Sequence, residues 1–271
     1  MGDFTYGSDA ITIGDTGNIV LERLPLQSGD RELFRLHRTV TYTTTLDDGR
    51  EFAYTVPPAT DPDFVTDLAS VPQLLTWLVP KSGRHLPAAL VHDGMVDDPS
   101  IDRFEADRLF RDGMGDLGVG RIRRWVMWTA VTLETLRRQG SLLTRVRTFG
   151  SLIVVVLLGI AATVNLAVDR TILPWMGSYE GLDGFVVELA LGLAGAVVIP
   201  IVIGLVLWAP VRAAGVVAGV AIAVLLHAMV LVGAVYGFYR GLERTPRMVQ
   251  AIVGAVAVCT ATVVFAWSLA S

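Results

Sequence analysis

Apolar and polar positions follow one rhythm in the first half of this chain and another in the second. From Ile11 to Val56 short apolar runs alternate with polar positions, as in half-buried strands. Ile11–Ile13 and Ile19–Leu24 are separated by Gly14, Gly17 and Asn18. Phe34 to Thr45 is rich in Thr, Val and Tyr and meets Arg50–Val56 across Asp47-Asp48-Gly49, an Asp-Gly hairpin signal. Pro57, Pro58 and Pro62 end this β region. Between 70 and 140 the spacing becomes helical. Ser70 can cap a helix with Pro72 in its first turn, leading into Leu74–Leu78. Pro87 opens a second through Ala88, Leu90, Val91 and His92. Ser100 is the expected cap of a third, with Asp102 and Glu105 in its first turn and Phe104, Leu109 and Phe110 facing the core. The glycine-rich stretch Gly113–Gly120 is expected to stop it. A fourth runs from Arg121 to about Arg138, with Trp125, Trp128, Leu133 and Leu136 as its buried stripe.

From Phe149 onward apolar residues dominate. Four segments, about 149–168, 185–208, 213–238 and 248–270, each hold some 20 residues, enough at ~1.5 Å per residue to cross a ~30 Å hydrocarbon layer. Pro200 falls inside the second and can kink it. Trp175, Tyr179, Trp208, Tyr236 and Tyr239 fall near the ends of these segments, as interfacial aromatics do.

Charge sharpens the division. Residues 1–147 hold 17 of the 22 Lys and Arg and 21 of the 26 Asp and Glu, a net of −4, and residues 148–271 hold five of each. Half a chain so poor in charge points to a bilayer as its solvent. A mildly acidic first half excludes nucleic acid as the main partner. The single cysteine, Cys259, excludes an intrachain disulfide and a cysteine-based metal site. Met1 to Ala10 has no basic run followed by an apolar one, so no export signal is expected there. Arg137, Arg138, Arg145 and Arg147 precede the first apolar segment, which favours a cytoplasmic first domain. Arg240, Arg244 and Arg247 would then lie outside if four segments all cross.

The polar residues of chemical interest cluster in 66–107. His92 and Asp93 sit in a helix otherwise built of Ala88, Ala89, Leu90, Val91, Met95 and Val96, where such a pair is costly unless partnered. Asp107 on a facing helix is a suitable partner for His92. A carboxylate there fixes the imidazole tautomer and raises its basicity, as water activation requires. The same pair also serves simply to tie two helices together. Asp93 points elsewhere on its helix and could bind a hard cation with backbone carbonyls. Thr66-Asp67 reads as a turn closing the β region or as support for that site. His85 reads as a surface residue. Arg121, Arg123 and Arg124 fit either anionic headgroups or a solvated helix start. Glu188 and His227 lie within apolar segments, where ionisable residues are functional candidates by default.

The stretch Phe64–Pro72, then Ala88-Ala89-Leu90-Val91-His92-Asp93, then Arg103–Phe110 resembles the domain-of-unknown-function family 1353, DUF1353, of phage, prophage and bacterial genomes. The three motifs occur in that family's order, over about 11–138, and the resemblance implies no established activity. His92-Asp93 followed by Ala106-Asp107 also resembles phospholipase A2-like proteins, notably compact viral forms. That resemblance implies His92 as the base that activates water, Asp107 as its orienter and Asp93 as a calcium ligand. It departs from that pattern at Val96, where a Tyr is usual, and Ser82-Gly83-Arg84 is a poor match for a calcium loop.

The expected architecture is α+β: a small N-terminal β region, a helical subdomain, then a transmembrane bundle of about four helices. The expected domains are a cytoplasmic one over 1–145 and a membrane one over 146–271. Three functions fit: a phage-type accessory module that binds an unidentified protein partner at the inner face of a lipid bilayer; a His/Asp hydrolase acting on lipid, with calcium; or a channel or transporter with a regulatory domain.

Overall fold

A computed structural model describes residues 2–7, 18–25, 32–68, 80, 82–209 and 211–244. The apolar run Ile11–Ile13, the helix expected from Ser70 through Leu78, and the fourth apolar segment with Cys259 lie outside those residues, as does the side chain of His227. Contacts divide the chain into two units, Met1–Val224 and Leu225–Ser271.

Among the described residues, six short strands build two antiparallel sheets. β1 (Asp3–Tyr6), β4 (Val40–Thr45) and β5 (Glu51–Val56) form one, in the order β1-β4-β5. β2 (Leu21–Arg23), β3 (Phe34–Leu36) and β6 (Val65–Thr66) form the other, in the order β2-β3-β6. The expected hairpin is β4–β5, with Thr45 opposite Glu51. Gly49 takes the left-handed conformation its turn requires, at φ 83°.

Three helices follow: α1 (Leu86–Asp97), α2 (Arg103–Asp116) and α3 (Arg121–Gln139). α1 lies directly on the first sheet. A Cβ at Gly94 would collide with Val56, and the Tyr54 hydroxyl donates to the Gly94 carbonyl at 2.9 Å. Val40, Tyr42, Val56, Leu90, Val91 and Met95 are buried together there. One local expectation changes. Asp102, not Ser100, caps α2, its carboxylate accepting the N–H groups of Phe104 and Glu105; Ser100 instead bonds Asp98. A carboxylate is the stronger cap because it adds charge to the acceptor. α2 ends at Asp116, within the glycine-rich stretch Gly113–Gly120 as expected. Gly113 and Gly115 themselves sit inside the helix, where Phe4 and Tyr42 press on the first and Arg124 on the second. The stop comes at Gly118, φ 69°, where the Val119 N–H returns to the Met114 carbonyl.

Only Gly140 and Ser141 separate α3 from α4 (Leu142–Val168), which begins seven residues ahead of the expected apolar segment. α5 (Gly181–Leu207) and α6 (Arg212–Glu243) follow. α4 and α5 are each long and apolar enough to cross a membrane. A core helix of a water-soluble protein would be mostly buried and an export signal would sit near the N-terminus; here 17% and 11% of the most apolar windows are buried, at mid-chain. Leu157, Val187 and Val206 are among many large apolar side chains exposed along them.

α4 and α5 run antiparallel, fastened at both ends. At one end the Trp208 indole N–H donates to the Ser151 hydroxyl at 2.8 Å, both buried. At the other, fully buried Asn165 accepts the N–H groups of Ile172 and Leu173 and donates to the Gly177 carbonyl. α6 meets α5 where both backbones carry glycine: a Cβ on Gly204 would strike the backbone of Gly215 and Val216, and one on Gly219 would strike Pro200. Close approach through small residues is how helices associate in a bilayer. In the second unit the Arg240 guanidinium lies 5.5 Å from the Tyr236 ring centre.

Candidate functional site

The three sequence motifs converge where β6, α1 and α2 meet. His92, on α1, and Asp107, on α2, are both buried, and His92 Nε2 lies 2.8 Å from Asp107 Oδ1. The packing of α1 on α2 sets this register: Ala106 and Leu109 flank Asp107 in the core, and the Phe110 ring lies 4.9 Å from the imidazole. Asp107 Oδ2 is buried with no hydrogen-bond partner among the described residues. A lone buried acceptor of this kind carries a desolvation cost of about 1–3 kcal/mol.

Asp93 is next in sequence but faces the strands, because successive helical positions diverge by about 100°. Thr66 Oγ1, on β6, donates to Asp93 Oδ2 at 2.5 Å and accepts the Leu68 N–H at 2.8 Å. Thr66 therefore closes the β region and holds the Asp93 carboxylate at once. Burial raises the Asp93 pKa to about 6, against the smaller pull of the Thr66 hydroxyl and of His92. The turn after Thr66 places Leu68 in the left-handed region at φ 68°, with its side chain buried. That conformation costs a bulky residue roughly 1–2 kcal/mol, and no feature of the sequence signals it.

Calcium was implied by the phospholipase-like pattern. It takes six to eight oxygens, and among the described residues no group of three or more His, Cys, Asp or Glu side chains converges. One Asp93 oxygen already accepts from Thr66. The donor set does not fit a calcium site, and no step is routed through one.

The other candidates separate from this cluster. His85 is buried, not at the surface, as the N-cap residue of α1 with the Arg123 guanidinium near it. Burial and the Arg123 guanidinium lower its pKa below the usual histidine range. Arg121 and Arg123 are exposed at the start of α3, flanking exposed Ile122. Glu188 is buried, and its Oε2 accepts the Gly177 N–H at 2.6 Å, closing the α4–α5 loop. Asn165, in the same knot, was not singled out in the sequence. An asparagine amid Val, Leu and Ala near the end of an apolar segment was the available signal.

Residues 41–131 match the model of the family described as Protein of unknown function (DUF1353). The match runs from β4 through part of α3 and takes in Thr66, His92, Asp93 and Asp107. It leaves β1 to β3 and the apolar helices outside, about a third of the 271 residues being covered. No curated protein and no solved structure matches the chain. The DUF1353 segment thus contains the whole β6–α1–α2 junction, while α4 and α5 lie beyond it.

Proposed function

We propose that this is a membrane-anchored module: a DUF1353-type domain over 1–145, held at the cytoplasmic face by a helical anchor over 146–271 with about four spans, where it binds a protein partner as an accessory module of the phage or prophage kind. The observation that carries the reading is the exposed apolar surface of α4 and α5, which a bilayer would cover. The basic residues ahead of α4 support the orientation. In cell fractions the full chain is expected in the membrane pellet, and to stay there after alkaline carbonate, which strips peripheral proteins. Recovery in the soluble fraction without detergent refutes the anchor. In spheroplasts, protection of the domain from added protease tests the orientation.

The His92 Nε2 to Asp107 Oδ1 contact favours a second reading, in which His92 activates water at a lipid ester and Asp107 orients its ring. The protein in mixed-lipid vesicles would then release fatty acid, and His92→Ala or Asp107→Asn would abolish that release with the fold intact. Unchanged release removes the pair from the chemistry, and no release from any lipid class leaves the binding module.

A further inference from the structure

The end of the helical anchor nearest the DUF1353 segment carries unpaired positive charge. α4 has 27 residues, about 40 Å at ~1.5 Å each, against a hydrocarbon layer of ~30 Å. Roughly seven residues must lie outside the hydrocarbon. The polar candidates are concentrated at its start, where Arg145 and Arg147 are exposed beside exposed Leu142, Leu143 and Val146. The start of α6 lies at the same end. The Ser151–Trp208 hydrogen bond brings the end of α5 to the first turns of α4, and Leu152, Val211 and Ala214 share one cluster there with Trp128 and Leu136 of α3. Arg212, exposed, follows Trp208 by four residues and precedes Ala214, of that cluster, by two.

These three arginines have no carboxylate partner among the described residues, whereas Arg137 and Arg138 are taken up by Glu134. Arg145 makes one bond, to the Arg138 carbonyl. The opposite end of α4 and α5 carries Asp169, Glu180 and Asp183 against Arg170. A guanidinium ahead of a span, beside exposed leucine and valine, suits a phosphodiester at the depth of the headgroups.

We propose that Arg145, Arg147 and Arg212 form a collar that selects anionic phospholipid headgroups around this end of the anchor. The proposal rests on the anchor reading above. The occupant is lipid and not free phosphate because exposed Leu142, Leu143 and Val146 lie beside the collar and exposed Ile153, Val154 and Leu157 follow farther along α4.

The test uses the full chain reconstituted in phosphatidylcholine vesicles, with trace spin-labelled phosphatidylglycerol or phosphatidylcholine. Electron spin resonance reads the motionally restricted fraction of each label. The wild type is expected to restrict phosphatidylglycerol severalfold more than phosphatidylcholine, up to about fivefold per arginine, the factor that ~1 kcal/mol per cation gives. The combined variant R145Q/R147Q/R212Q is expected to bring the ratio to within about twofold of unity, as is 1 M salt on the wild type. Arg50→Gln, in the β4–β5 turn, should leave the ratio unchanged. Equal restriction of both labels by the wild type, or a preference that survives the triple variant and salt, overturns the collar while the anchor stands. A chain that fails to enter either vesicle overturns both.

Discussion

Replacing His92 and Asp107 by leucine, singly and together, gives a cycle whose outcome depends on how the pair is buried. Asp107 is 1% exposed and His92 7%, and they meet at 2.8 Å. In Asp107→Leu the imidazole Nε2 faces an apolar side chain, and an orphaned buried donor costs about 1–3 kcal/mol. His92→Leu leaves a carboxylate with both oxygens unpartnered, since Oδ2 already lacks one, and removing one member of a buried pair costs about 3–5 kcal/mol. The double variant removes both polar groups and keeps the space filled, so its cost falls well below the sum, with a coupling of at least ~2 kcal/mol. Thermal unfolding of the full chain in detergent, followed by tryptophan fluorescence, reads this as Tm. At ~2–4 °C per kcal/mol, Asp107→Leu lowers Tm by roughly 2–12 °C and His92→Leu by roughly 6–20 °C, and the double variant recovers several degrees over the worse single. Tm losses that simply add would show that the two side chains do not interact, and the β6–α1–α2 junction would lose its centre.

Two further outcomes follow from neighbouring groups. Asp93 has a native pKa of about 6 against 3.8 unfolded, so between these values the native state binds more protons and stability falls as pH rises; the difference amounts to about 3 kcal/mol at 1.36 kcal/mol per unit. Asp93→Asn should therefore gain stability over the wild type as pH goes from 4 to 7, and parallel pH profiles for the two proteins would refute the raised pKa. Asn165→Ala orphans the Ile172 and Leu173 N–H groups and the Gly177 carbonyl, a loss of about 2–4 kcal/mol. A Tm for Asn165→Ala within a degree of wild type would refute the knot.

What the sequence made legible was local or periodic. The Asp47-Asp48-Gly49 hairpin, Pro87 at the start of α1, the Trp128 and Leu136 stripe on α3 and the apolar α4 and α5 all follow from patterns that neighbouring residues carry by themselves. The His92–Asp107 pair was also legible, because a histidine and an aspartate on apolar helical faces need partners. What escaped required knowing the tertiary neighbour. Gly113 and Gly115 look like helix breakers until Phe4, Tyr42 and Arg124 are seen to need the space. His85 looks exposed between Arg84 and Leu86, yet it is buried at the start of α1 near Arg123 of α3. Leu68 in the left-handed region has no sequence mark at all, since its conformation is imposed by the turn that returns its N–H to Thr66.

The position of α3 decides how the DUF1353 segment and the apolar helices relate mechanically. On one side α3 packs on α2, where the Arg111 guanidinium lies 5.4 and 5.3 Å from the ring centres of Trp125 and Trp128. On the other, Trp128 and Leu136 bury against Trp208, Ala214 and Ala218 of the apolar helices. Arg111 is one helical turn beyond Asp107 on the same helix, so the element that holds the His92 pair also grips the tryptophans that seat α3 on the bundle. With only Gly140 and Ser141 between α3 and α4, the domain is not a bead on a long tether whose reach sets an effective concentration. Its orientation relative to α4 is set by packing. A flexible insert after Gly140 should therefore leave membrane attachment intact. It should not by itself free the domain, because the Trp128–Trp208 cluster would still hold. Separation should require the insert together with Trp128→Ala, read as a domain that protease then releases from the membrane pellet. Release by the insert alone would show that chain connectivity, not the tryptophan cluster, fixes the domain in place.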